Sequence, residues 1–201
     1  MSSFPDRIDE LIRLLGTSAS AVDARQGDRV YNLHYSPKEW TQFRQQLHVI
    51  EKRMKDQCYT PHLVSFADIC LEIFQASPIY AAQVKMEAMG DFSHEMRNKA
   101  LYGILAGGNQ GAPLTEQSPI VAALISKIQE TTLLDRGILI LTDTETIHPL
   151  FRVSAFEQIL QGKFTVPTVI CYPGERGSMG DNPSFLGFYN SDGNYRSHHI
   201  Y

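Results

Sequence analysis

The chain has 201 residues, of which 43% are hydrophobic and 20% charged, a globular balance that excludes a disordered, collagenous or highly charged protein. A net charge of −4 supplies no global basic field for nucleic acid, which disfavours an autonomous DNA binder and leaves only a local basic face open. Cys58, Cys70 and Cys171 are odd in number and widely spaced, so they suggest neither a disulfide framework nor a zinc ribbon and read as reduced thiols of a cytoplasmic protein.

The N-terminus has no continuous apolar run behind a basic stretch, so it does not read as a signal peptide. The longest apolar runs, Ile120 to Ile125 and Gly137 to Leu141, fall far short of the roughly 20 residues that span a bilayer. Phe4, Ile8, Leu11, Ile12 and Leu15 recur at helical spacing and predict an amphipathic helix ended by Gly16. Thr17 to Asp28 carries no apolar period and reads as a loop. Arg29 to Tyr35 is rich in β-forming residues. It is followed by Ser36-Pro-Lys-Glu39, which combines a Ser cap, Pro at the first helical position and Glu three residues beyond the cap. The helix opened there should lay Trp40, Phe43, Leu47, Ile50 and Met54 on a sheet.

His62 to Phe66 is a second strand candidate, running into a helix over Ala67 to Phe74. Ile79 to Met89, Ser93 to Leu105 and Pro119 to Leu134 all read as helical, so residues 78–134 form a helical excursion. Gly137 to Asp143 is a short, continuously apolar strand of the kind buried on both faces. Ser154-Ala-Phe-Glu157 reads as a capping box opening a short helix that Gly162 ends. Pro167 to Gly174 gives another buried strand, and Ser184 to Tyr189 alternates as a last strand at an edge. The whole is one α/β domain over 1–201, with a mostly parallel central sheet flanked by helices.

The apolar strand tipped by Asp143 has the form of the metal-supporting strand of a P-loop ATPase, but no G-x-x-x-x-G-K-[ST] loop accompanies it. Asp143, Glu145, His148 and Arg152 follow that strand, where ligands bind in open α/β sheets. They form either a polar pocket with an acid, a base and an anion-binding guanidinium, or a loop lock; the structural use is favoured. His94, Glu95 and the pair His198-His199 lack any metal-ligand spacing, so no metal or other cofactor is expected. G-x-S-x-G is absent as well. Lys38, Arg44, Lys52, Arg53 and Lys55 give the helix after Pro37 a basic character, either a solvated face or weak support for an acidic or nucleic-acid partner. The segment from Tyr172 to Tyr201 is rich in glycine and aromatic residues without helical period. Tyr189, Tyr195 and Arg196 there are candidates for a partner surface, because Tyr combines large area with little rotamer entropy. The same segment could instead pack on its own domain.

Gly137-ILILTDTETIHPLFRVSAFEQILQGKFTVPTVICYPG-Glu175, followed by Ser184-FLGFY-Asn190 and Gly193-NYRSHH-Ile200, resembles the BrxB family of bacteriophage exclusion (BREX) systems. Tyr31-NLHYSPKE-Trp40 is similar to that family too. The resemblance implies a small cytoplasmic component encoded beside a BrxC-like ATPase, a PglX-like adenine methyltransferase and a PglZ-like phosphatase-family protein, which together methylate host DNA and block phage propagation. It carries no catalytic residue over to this sequence. The combined reading is a non-catalytic adaptor or regulatory subunit that binds at least one larger partner, with self-association left open. The alternatives are a degenerate P-loop-like or other small-ligand enzyme using Asp143 to Arg152, and a nucleic-acid-binding subunit.

Overall fold

The computed structural model describes residues 3–17, 29–90, 93–108, 111–176, 183–186 and 197–201. Among them, α1 (Phe4–Thr17) precedes β1 (Val30–Tyr35), and α2 (Trp40–Asp56) carries the chain to β2 (Thr60–Ser65). Four helices follow, α3 (Phe66–Ala76), α4 (Pro78–Ala88), α5 (His94–Ala106) and α6 (Pro119–Thr132). Then come β3 (Gly137–Thr142), α7 (Val153–Ile159), β4 (Thr168–Arg176), β5 (Pro183–Phe185) and β6 (His198–Ile200). The fold is α/β, as the alternation of strand and helix at both ends of the sequence implies. No helix of the described residues is long and apolar enough to cross a membrane.

The sheet runs β2-β3-β4-β1-β6, every neighbour parallel, with β5 pairing antiparallel to the outer end of β4. Period-two alternation divides its side chains between two cores. Ile138 and Ile140 of β3 meet Leu11 of α1 and Ile50 of α2 on one face, whereas Leu139 and Leu141 meet the helices of the other. A strand buried on both faces must be apolar throughout, which is why Gly137 to Leu141 is so legible.

Three sequence readings need adjusting. The Ser36 capping box forms as expected, with Ser36 and Glu39 bonded reciprocally. The Ser154 box does not: α7 starts at Val153 with Arg152 at its cap, and Glu157 is drawn away to Asn32 and Ser197. Of the strand expected over Ser184 to Tyr189, Ser184 and Phe185 lie in β5, which pairs antiparallel with β4 rather than joining the parallel array, and Gly187 to Tyr189 lie outside the described residues; the edges of the parallel array are β2 and β6. Finally, the helical excursion is not uniform. α6 buries Ile120, Val121, Leu124 and Ile128 and α5 buries Tyr102 and Leu105, so both belong to the core layer, whereas α4 buries no residue.

Candidate functional site

The loop after β3 begins with Asp143 in the left-handed region at φ 56°, a conformation that Asp tolerates better than most residues. Its carboxylate accepts from Arg44 Nη1 of α2 at 2.7 Å, Ser65 Oγ at 2.5 Å and Thr142 Oγ1 at 3.1 Å. Ser65 Oγ in turn accepts from the Ala67 and Asp68 amides and so caps α3. One carboxylate therefore ties α2, the exit of β2 and the exit of β3. Glu145 accepts from the Trp40 indole at 3.0 Å and from the Tyr35 hydroxyl at 3.4 Å, and Arg44 lies 5.7 Å over the Trp40 ring.

Beneath this cluster, burial pushes the Tyr35 hydroxyl far above its ordinary value, with Glu145 adding to the effect. Burial raises the Cys171 thiol likewise, helped by Asp143. Both groups are held protonated at neutral pH, so Cys171 is a packed thiol rather than a nucleophile.

The rest of the loop turns elsewhere. His148 stacks on Phe185 of β5 at 5.2 Å, and burial followed by the nearby Arg152 guanidinium lowers its pKa. Arg152 lines an open cavity of about 320 Å³ with Tyr102, Leu150, Ser154 and Gln158. The structure thus groups His148 with Arg152 on the α5 and α7 side, while Asp143 and Glu145 are taken up by α2, β1 and β2. Sequence reasoning missed the partners Tyr35, Trp40, Arg44 and Ser65, because they lie 78 to 110 positions away. On the basic helix, Arg44 pairs with Asp143 and Arg53 with Asp9, which spends part of the charge that would attract a polyanion. Tyr189, Tyr195 and Arg196 lie outside the described residues.

A second polar cluster sits between β1, β6 and α7. His34 Nε2 and His199 Nδ1 are 2.8 Å apart and share a hydrogen bond. His34 stacks on Tyr201 at 4.4 Å and lies 4.8 Å from Tyr172. Asn32 Nδ2 donates to Ser197 Oγ at 2.6 Å and to Glu157 Oε1 at 2.9 Å, and Ser197 Oγ donates to the same Glu157 oxygen. Arg7, itself buried, donates to the His34 carbonyl at 2.7 Å. Burial, reinforced by His199, holds His34 down at about 3, and burial with His198 holds His199 at about 4. Both imidazoles are neutral at pH 7, so one donates and the other accepts. His198 is exposed and stacks on Tyr31 at 5.7 Å. Among the described residues, no group of three or more His, Cys, Asp or Glu is placed to hold a metal ion.

The only sequence signal for this cluster was the alternation of Asn32 and His34 with Tyr31, Leu33 and Tyr35 in a strand buried at every position. Polar side chains at such positions need partners, and here β6 and α7 supply them.

A family model described as BREX protein BrxB matches residues 62–200. The chain belongs to the BrxB family. It is therefore a component of a BREX phage-defence system. No curated protein and no solved structure matches the chain. The matched part of this BrxB chain contains Ser65, Asp143, Glu145, Glu157 and His199. Asn32, His34, Trp40 and Arg44, which complete both clusters, precede it.

Proposed function

We propose that this BrxB protein is a non-catalytic adaptor or regulatory subunit that works in the cytoplasm and binds at least one larger BREX component, a PglZ-like, BrxC-like or PglX-like protein. The observation that carries the reading is α4. This eleven-residue helix contains Ile79, Val84 and Met86, is followed by Met89 at its cap, and buries none of its residues. Ile79 is 60% and Met89 76% exposed, and apolar surface grouped in this way marks interaction sites on soluble proteins.

The loop geometry also weighs in favour of an adaptor over a small-ligand enzyme. Asp143 and Glu145 are engaged by five donors of the protein itself, so a ligand would have to displace bonds that hold three elements together. Direct nucleic-acid binding is weak at most, since Arg44 and Arg53 already have acidic partners.

The test is a pull-down with the tagged chain from cells expressing the whole BREX gene set, with captured components identified by mass spectrometry. Stoichiometric capture of a PglZ-like, BrxC-like or PglX-like protein at physiological salt is expected. Absence of all three, with the tagged chain folded and abundant, would overturn the reading.

A further inference from the structure

We propose that the trough between α5 and the segment from Pro149 to Gln158 binds an extended peptide segment of a partner protein, with an acidic side chain of that segment at Arg152. The proposal rests on the adaptor reading and adds the site and the chemistry of what enters it. Two cavities adjoin here. One, of about 510 Å³, is lined by Asn98, Gly111 and Pro149, and the other, of about 320 Å³, by Arg152, Ala155 and Gln158. Tyr102 and Leu150 line both, so the two form one open trough that crosses those side chains. Its floor is set before anything binds. The Tyr102 ring lies 4.8 Å from that of Phe151, which packs edge-on against Phe156, and the Tyr102 hydroxyl donates to the Ala112 carbonyl. Tyr102 and Phe151 are buried members of the core, so they lose little freedom when a segment lies over them.

The rim decides the occupant. Asn98 in one half and Gln158 in the other each bring a carboxamide, which both donates and accepts, and neither has a side-chain hydrogen bond among the described residues. Main-chain N–H and C=O groups complement such amides. A helix spends those groups on itself, whereas an extended segment turns them outward and sends alternate side chains to the floor. Charge sets a further condition. The lining holds the Arg152 guanidinium and no carboxylate, and the carboxylate of Glu157 on α7 is engaged by Asn32 and Ser197. A guanidinium takes a carboxylate in a planar, two-bonded pair, so the segment carries Asp or Glu at that point. A small free ligand is the poorer occupant, because small-molecule sites enclose most of the ligand surface and both halves of the trough are open.

The experiment probes the full chain with overlapping synthetic peptides that tile the PglZ-like, BrxC-like and PglX-like proteins, and then with those proteins co-expressed and separately tagged. A peptide with Asp or Glu among apolar residues is expected to bind, and exchange of that acid for its amide should weaken it about tenfold or more. N-methylation at one set of alternate residues should abolish binding while the other set is tolerated, the signature of an extended segment. Asn98→Ala/Gln158→Ala should lower peptide binding and capture of the parent protein at least about fivefold with an unchanged Tm, since neither amide is bonded within the fold. Arg152→Gln should weaken the acidic peptide and leave its amide form unaffected, a comparison that a general loss of stability would not produce. If no peptide binds, if capture survives in the double variant, if both sets of N-methylated residues abolish binding, or if Arg152→Gln weakens both peptides equally, the trough proposal is overturned and the adaptor reading stands. Failure of the unsubstituted chain to capture any of the three proteins would overturn both.

Discussion

Acidification from pH 7 to pH 5 is the perturbation that reads the His34–His199 pair most directly. In an unfolded chain an imidazole takes up its proton near pH 6.5. In the fold, His34 is held at about 3 and His199 at about 4. Between those values the unfolded state binds more protons than the folded one, so stability falls as pH drops below about 6.5 and goes on falling until the folded values are reached. Over the interval from pH 7 to pH 5 the linkage relation gives a loss of about 2 kcal/mol for the buried His34 and a smaller one for His199, whose partial exposure lets solvent screen it. That is a large share of the roughly 5–15 kcal/mol of a typical domain. His148, whose pKa burial also lowers, acts in the same sense. Urea unfolding at pH 7, 6 and 5, followed by far-UV circular dichroism, measures the slope. His199→Gln keeps a group that can hydrogen-bond His34 Nε2 and removes one titrating site, so its loss over the same interval should be smaller than that of the unsubstituted chain. Equal slopes for the two proteins, or an unsubstituted chain as stable at pH 5 as at pH 7, would refute the reasoning.

Four further outcomes are expected. Asp143→Asn, which removes the charge that accepts from Arg44, Ser65 and Thr142, should cost about 1.5–3 kcal/mol by chemical denaturation. A neutral result would show that the tie between α2, β2 and β3 is dispensable. Gly137→Ala should destabilise by about 1–3 kcal/mol or more, since the added Cβ would sit 2.1 Å from the Thr131 carbonyl oxygen. Gly16→Ala, with nothing within 4 Å of the new carbon, should stabilise by up to about 1 kcal/mol; paired thermal melts separate the two. The purified chain is expected to release no phosphate from ATP or GTP, because no Walker-type loop is present in its sequence, and turnover that disappears in Asp143→Ala would contradict this.

How far the sequence could be read depended on the distance over which each feature is encoded. Ser36-Pro-Lys-Glu39 caps its helix with residues three apart, and the bonds form as expected. The apolar stripe of Trp40 to Met54 buries Phe43, Leu47, Ile50 and Met54, and only Trp40, at 45% exposure, leaves it to bond Glu145. Glu157 shows the limit. Locally it completes a capping box with Ser154, but Asn32, 125 residues earlier, offers a buried amide that needs the carboxylate more. A buried donor without a partner costs about 1–3 kcal/mol, against about 1 kcal/mol for a cap. The same holds for His34 and His199, which are 165 residues apart. Their pairing is a property of the strand order, and nothing in either neighbourhood announces it.

The boundary of the family match raises a structural point that the sheet order answers. The matched region begins at residue 62, after β1 and α2, yet β1 lies inside the sheet between β4 and β6. Its six residues pair in register with Thr168 to Pro173, and three of them also pair with β6. Without β1, the edge strand β6 would lose its strand partner, and the core of Ile138, Ile140, Val169 and Cys171 would lose both helices that cover it. Residues 62–200 are therefore not a unit that could stand alone in this fold. The first 61 residues supply one complete helical layer and a central strand. They also supply one side of each polar cluster: Arg44 and Trp40 for the β3 loop, Asn32 and His34 for α7 and β6. Each cluster joins a residue before position 62 to one after it. The polar contacts thus fix the register between the two parts of the chain, while burial of the apolar faces provides most of the adhesion.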